Sequence, residues 1–533
     1  MRGRKNIKPE WRLKAFSLIY LLLFIGLILR LIYWQIIRRV DLSEKAKGQY
    51  NSSQIMNATR GNILASDGSY WALRTDAWLV YANTNELKAK VSEVSVRLAT
   101  LLNDDESRLS NLLSKKEAYV PLKQKVDNET KKNIEALGIK GINFDNQEAR
   151  YYPEASSAAQ LLGFVGKDEK GLDIGYFGLE GYYNLPLSGK PGFLGREKDA
   201  QGSPILLNPG KSVSAIGGID LITSIDKRVQ ILAETKLKDG IEKYGALGGS
   251  ITIEDPRTGE ILAMASYPSY DPGNYSEYGN SFFKNPVISD SFEPGSIMKV
   301  RNNVYHPNIT MTDVIVDSDN VGMVFVGQKL GADRLYNYLD SFGIGQLTGV
   351  DLQGESAPSI RKKGEWSMVD LATASFGQGI AVTGIQMIRA VSAIANGGYL
   401  ERPRVVKSVR GEGWEEKIKS EPSKRVVSSA AATEVTQMMV AAADKGEAKW
   451  AKIPGFKVAG KTGTAQIPVE GHYDSTNTNH SFIGFAPADK PKFVMLVTLK
   501  SPQSSPWAAE TAAPLWYSVA KDLFPYLGIE PNI

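Results

Sequence analysis

The sequence predicts an α+β protein: an antiparallel sheet flanked by helices, placed after a single transmembrane helix and a mixed region of strands and helices. Three observations predict it. Near the N-terminus lies one apolar run long enough to cross a bilayer. Strand-like stretches stand towards both ends of the C-terminal half with helical periods around and between them, which suits an antiparallel sheet covered by helices. The chain has 533 residues, 42% of them hydrophobic, enough for more than one packed core.

The apolar run, Phe16 to Ile37, holds 22 residues interrupted only by Arg30 and Gln35. At ~1.5 Å rise per residue it spans a hydrocarbon layer of ~30 Å. Arg2, Arg4, Lys5, Lys8, Arg12 and Lys14 against Glu10 alone place the N-terminus in the cytoplasm, with Arg38 and Arg39 opposing that bias from the far side. Tyr33 and Trp34 fall where an interfacial aromatic belt would sit, and Arg30 is near enough to the end to snorkel. A cleavable signal peptide is the competing reading. The run is long for that purpose and no small-x-small cleavage site follows, so an uncleaved anchor is expected.

Behind the anchor, Asp41 to about Lys211 is a mixed stretch with charged helical segments at Glu86–Leu113 and Asn128–Leu137, and no catalytic constellation. Asn208-Pro209-Gly210-Lys211-Ser212 through Gly217-Gly218 reads as a linker. A second domain then starts near Ile219. Helical periods run over Val229–Ile241 and Gln386–Asn396, apolar alternation over Ser250-Ile251-Thr252-Ile253, and a strand over Phe493–Leu499. The expected divisions are a cytoplasmic tail 1–15, an anchor 16–37, a non-catalytic domain 38–215 and a catalytic domain 216–533.

Composition removes several classes of function. A net charge of +5 is mild over this length, so no nucleic-acid footprint is implied. Without cysteine there are no disulfides, thiolate metal sites or thiol nucleophile. The histidines, His306, His472 and His480, have no metal-ligand spacing and read as structural or surface residues. No metal and no cofactor are expected.

Three short motifs carry chemistry: Ser296-Ile-Met-Lys299, Ser318-Asp319-Asn320 and Lys461-Thr462-Gly463. Each alone means little, since Ser-x-x-Lys recurs at Ser224/Lys227, Ser281/Lys284, Ser359/Lys362 and Ser518/Lys521. Order and flanks discriminate. Only Ser296 follows Phe292-Glu293-Pro294-Gly295, a turn that can start a helix at the serine. Lys461-Thr462-Gly463 occurs once. A serine hydroxyl needs a base to become a nucleophile, and Lys299, three residues on, shares its helix face. Positive charge from Lys461 and desolvation both push the Lys299 amine towards the neutral form a base requires. Ser318 would relay protons and Asn320 would orient Lys299. Gly463 leaves room for a substrate backbone beside an edge strand, while Lys461, Thr462 and Thr464 can meet a terminal carboxylate.

With these motifs in order, the chain resembles the class B penicillin-binding proteins, membrane-anchored peptidoglycan D,D-transpeptidases. The likeness extends to Glu254-Asp255-Pro256-Arg257-Thr258-Gly259-Glu260-Ile261-Leu262-Ala263-Met264-Ala265, to Phe376-Gly377-Gln378-Gly379 with Thr383-Gly384-Ile385-Gln386, and upstream to Arg150-Tyr151-Tyr152-Pro153 and Gly178-Leu179-Glu180-Gly181-Tyr182-Tyr183. Thr59-Arg60-Gly61-Asn62-Ile63 approximates the family's opening motif, although Leu64-Ala65-Ser66 departs from its usual Asp-Arg.

The resemblance implies a transpeptidase domain of the serine β-lactamase-like fold, raised from the membrane on an elongated pedestal of the dimerisation type. It implies acylation of Ser296 by peptidoglycan stem peptides or by β-lactams, with the backbone N–H groups of Ser296 and Thr464 as oxyanion hole. A polymerising glycosyltransferase and other cell-wall proteins are the implied partners. A D,D-carboxypeptidase, a β-lactam sensor or a catalytically silent scaffold are the competing functions.

One spacing departs from the family. Only 18 residues separate Lys299 from Ser318, with Pro307 among them, where the family places a longer helix and further helices. The expectation is a shortened domain or an omitted segment, with a break or strained crossover at Val300–Arg301 and the five catalytic side chains still converging.

Overall fold

The computed structural model describes residues 10–39, 42, 51–198, 204–295, 308–419, 423–469 and 472–531. They fall into two compact units, one made of Met1–Ala58 and Lys190–Gly217, the other of Thr59–Gly189 and Gly218–Ile533.

In the first unit a helix over Glu10–Ile32 continues into a wider turn over Tyr33–Ile37. Its apolar side chains are exposed along the whole length. Among the described residues it is the one helix long and apolar enough to cross a membrane. The Arg30 guanidinium lies 5.9 Å from the Trp34 ring centre, at the end of the apolar run. The same unit holds an antiparallel sheet of Asn51–Met56, Gly192–Lys198 and Pro204–Val213. Asn208–Ser212, expected as linker, is therefore strand. Pro209, which suggested a linker, sits on an edge strand at a register shift, where a missing N–H is tolerated.

The second unit is built on two sheets. One runs in the order Trp414–Lys417, Val406–Gly411, Asp220–Thr223, Ile63–Leu64, Tyr70–Ala82 and Val120–Val126, with Ile142–Tyr151 also paired to Tyr70–Ala82. Asp220–Thr223 lies parallel to Ile63–Leu64 and antiparallel to Val406–Gly411, so backbone hydrogen bonds join segments far apart in sequence. Beside this sheet three of the upstream motifs converge on one carboxylate. Fully buried Glu180 accepts from Arg60 Nε at 2.8 Å and from Arg150 Nε at 2.6 Å. Arg60 also reaches Asn184 Oδ1, and Arg150 reaches the Gly61 carbonyl. At the departing Leu64-Ala65-Ser66 the backbone serves instead: the Leu64 carbonyl accepts from Thr223 Oγ1 and that of Ser66 from Lys407 Nζ.

The other sheet has five antiparallel strands in the order Glu260–Tyr267, Gly248–Asp255, Phe493–Lys500, His472–Ala486 and Ala459–Val469. Both its faces are covered, which is why Phe493–Leu499 reads as a nearly unbroken apolar run. Phe493, Met495 and Val497 pack with Ala233 and Leu237 of the Lys227–Tyr244 helix and Trp516 of the Ala512–Tyr526 helix. Val494 and Leu496 face the opposite way, towards Ile385 and Ile388 of the Gly384–Ala395 helix. The helical periods of the sequence extend to Lys227–Tyr244 and Gly384–Ala395. The stretch Glu86–Leu113 divides into Val91–Leu102 and Glu106–Leu113 around Asn103, whose φ of 46° stops the first helix.

Glu254 is buried in this sheet, and neither carboxylate oxygen has a hydrogen-bond partner among the described residues. Burial pushes its pKa up to about 7 against an ordinary 4.5, with Ser392 and Arg389 offsetting part of the effect. Between those two pH values the folded chain holds a proton that the unfolded chain has released. Glu254 therefore favours the fold below its unfolded pKa, and the contribution disappears as pH rises through about 7. Thermal melts at pH 5 and pH 8 are expected to show wild type losing several degrees more than Glu254→Gln over that interval. Parallel shifts would mean that the carboxyl is already ionised in the fold.

Candidate active site

The Lys461 strand, Ala459–Val469, lies at the edge of the five-stranded sheet, and among the described residues no strand pairs with its other side. Lys461 pairs with Ile483, Thr462 with Phe482, Gly463 with Ser481 and Thr464 with His480. Lys461 and Thr462 are buried. Alternation along the strand sends the Thr462 and Thr464 side chains to the face opposite Lys461. A carboxylate that meets all three must lie along the open edge.

Lys461 Nζ donates to Ser318 Oγ at 2.7 Å, across a separation of 143 residues. Two of the three motifs are thus in direct contact. Ser318 is buried and has a φ of 59°, a left-handed conformation that few residues other than glycine adopt. It turns the chain between the helices Met311–Val316 and Asn320–Leu330, the second capped by Asp319, whose carboxylate accepts from Val321 N. This strained corner lets a serine on a helix-to-helix turn face a strand from elsewhere in the sequence. Asn320 opens the second helix, and its buried Oδ1 has no hydrogen-bond partner among the described residues. Burial pulls the Lys461 amine down to about 8, with the Glu447 carboxylate acting in the opposite sense. Near neutrality this ammonium is a desolvated cation that gives up its proton more readily than an exposed lysine.

The approach to Ser296 is held from two sides. Gly295 N donates to the Gly377 carbonyl at 3.0 Å, and Gly379 N donates to Glu293 Oε1 at 2.9 Å. Ser291 and Phe292 pair with Thr383 and Val382. The Phe376–Gly379 signature therefore serves the segment leading to the serine, a role that its sequence alone did not disclose. On the other side Gly295 adopts a φ of 51°, and a Cβ there would come within 2.6 Å of the Thr464 carbonyl oxygen. Both reasons require glycine. Gly295→Ala is expected to lower penicillin acylation at least tenfold while the far-UV spectrum stays unchanged; an unaltered rate would mean that this close approach does not govern the site.

Ser296, Lys299 and the Val300–Arg301 junction lie outside the described residues, as does His306. No cluster of three or more metal-ligating side chains occurs among the described residues.

The chain matches two family models. The penicillin binding protein transpeptidase domain covers residues 249–304 and 301–523, and the penicillin-binding protein dimerisation domain covers 55–222. The transpeptidase match comes in two pieces that overlap at 301–304, between Lys299 and Ser318. Stage V sporulation protein D of Bacillus subtilis is 31% identical over 99% of this chain and 87% of its own length. The peptidoglycan D,D-transpeptidase FtsI of Escherichia coli is 28% identical over 98% and 93%. Among solved structures, penicillin binding protein 2X of Streptococcus thermophilus superposes with a TM-score of 0.72 at 25% identity, covering 90% of this chain and 81% of the other. A peptidoglycan synthetase of Bifidobacterium adolescentis gives 0.71 at 26% identity, covering 90% and 97%. An α+β transpeptidase fold behind an apolar N-terminal helix defines the class, and the chain belongs to the class B penicillin-binding proteins.

Proposed function

We propose that the protein is a peptidoglycan D,D-transpeptidase, a serine acyltransferase that cross-links stem peptides. Ser296 Oγ bonds to the carbonyl carbon of the penultimate D-alanine, the C–N bond to the terminal D-alanine breaks, and the serine proton passes through Lys299 to the departing amine. An amine from a neighbouring stem peptide then forms a new amide as the ester C–O bond breaks, and the proton it gives up returns through Lys299 to Ser296 Oγ. The contact of Lys461 Nζ with Ser318 Oγ at 2.7 Å beside an open strand edge carries this reading, because it joins the proton relay to the carboxylate site. In the reading, Lys461, Thr462 and Thr464 receive the terminal carboxylate, Gly463 admits the substrate backbone and Asn320 orients Lys299. A β-lactam enters by the same route and leaves a slow ester.

The Trp11–Ile37 helix anchors the chain in the cytoplasmic membrane as a single pass. The N-terminal basic cluster supports a tail inside and a catalytic domain on the wall side. Residues 38–215 act as pedestal and 216–533 as transpeptidase domain. A polymerising glycosyltransferase is the partner such a domain would serve, supplying uncross-linked strands. A catalytically silent scaffold is the second reading, favoured by the shortened interval between Lys299 and Ser318.

Fluorescent penicillin separates the two. The full chain in detergent is expected to take up one equivalent, located by mass spectrometry on the peptide bearing Ser296 and lost in Ser296→Ala. An adduct that persists in that variant overturns the nucleophile, and no adduct in wild type leaves the scaffold.

A further inference from the structure

His480 lies on the strand beside Lys461, in register with Thr464, and is fully buried. Both ring nitrogens are engaged. Nδ1 is 2.7 Å from Thr511 Oγ1, and Nε2 is 2.8 Å from Thr478 Oγ1. Thr511 spends its single hydroxyl proton on the Trp507 carbonyl at 3.2 Å. It is then placed to accept from Nδ1–H, and in the neutral ring Nε2 accepts from the Thr478 hydroxyl. In that tautomer the donors run from Thr478 through the ring and Thr511 to Trp507. Burial favours the neutral ring, holding it at about 4, with the Pro506 carbonyl offsetting part of the effect.

The turn at the end of this run touches the site. Ala508, next to Trp507, donates its N–H to Thr464 Oγ1 at 3.2 Å. That bond occupies a lone pair of the hydroxyl, so the hydroxyl's own proton remains available to an anion. We propose that His480 and Thr511 are positioning residues for carboxylate recognition: they fix the Trp507–Ala508 turn, whose amide holds Thr464 Oγ1 as a donor towards the substrate's terminal carboxylate. The inference rests on the acyl-transfer reading above. A merely structural histidine would leave the same bonds but would not distinguish ligands by their charge.

The test compares acylation of the full chain by penicillin G and by its methyl ester, in which the carboxylate is masked. In Thr511→Val the second-order rate with penicillin G should fall about tenfold, through weaker binding before acylation and not through a slower bond-forming step, the low end for losing a hydrogen bond to a charged group. The methyl ester rate should change less than about twofold, since no anion is there to be recognised. Thr511→Ser, which keeps the hydroxyl, should restore the preference. If Thr511→Val does not fold, His480→Gln carries the same comparison, with the same selective loss expected. Equal losses with both ligands, or no loss with either, overturn the assignment while leaving the enzyme standing. Wild type that reacts with neither ligand overturns the acyl-transfer reading and this inference with it.

Discussion

Lys461→Ala is expected to reduce acylation by penicillin about 100-fold, because a desolvated cation that meets a carboxylate is worth several kcal/mol when removed from one side only. Lys461→Arg is the more informative variant. A guanidinium keeps its charge at any pH the protein survives, whereas burial brings the native amine down to about 8. In wild type the ammonium is present below that value and is lost as pH rises through it. Capture of a carboxylate-bearing β-lactam should therefore fall on the alkaline side of pH 8. In Lys461→Arg some acylation should remain and this alkaline limb should vanish. Lys299→Arg should abolish acylation at every pH, since a base that cannot release its proton cannot accept one. Stopped-flow acylation between pH 6 and pH 10 reads all three. Identical profiles for the two arginine variants would mean that the roles of the lysines are divided wrongly.

Removing the Glu180 carboxylate should be the most damaging change outside the site. Glu180→Leu leaves Arg60 and Arg150, both nearly buried, as unpaired cations facing each other. Breaking a buried ion network from one side costs roughly 3–5 kcal/mol, far more than the net worth of the pairs themselves. The variant should melt many degrees lower and be cut early by protease between the strands this cluster ties together. Glu180→Gln, which retains hydrogen bonding without charge, should lie between. A Glu180→Leu melt within a degree of wild type would place the cohesion of this region in the packing of Trp71, Leu161 and Leu179 instead.

The sequence by itself determined the elements whose signals are local. The apolar run from Phe16 to Ile37 became one long exposed helix, because bilayer-spanning length and composition can be read within a single segment. The periods around Val229 and Gln386 and the run at Phe493 became the helices and central strand of the catalytic sheet for the same reason. The motifs at Ser318 and Lys461 stand out in the sequence by their order and flanks. Their contact was not legible, since it joins residues 143 positions apart through a left-handed corner and an edge strand. Tertiary structure alone decided which carboxylate Arg60 and Arg150 share, that Phe376–Gly379 holds the segment before Ser296, and that His480 reaches Thr464 through a turn. It also decided that the proline-bearing stretch near Pro209 is strand, because an edge position forgives a missing donor. Periodicity records which face of a segment is buried; the partner against which it is buried is settled only when distant segments close on one another.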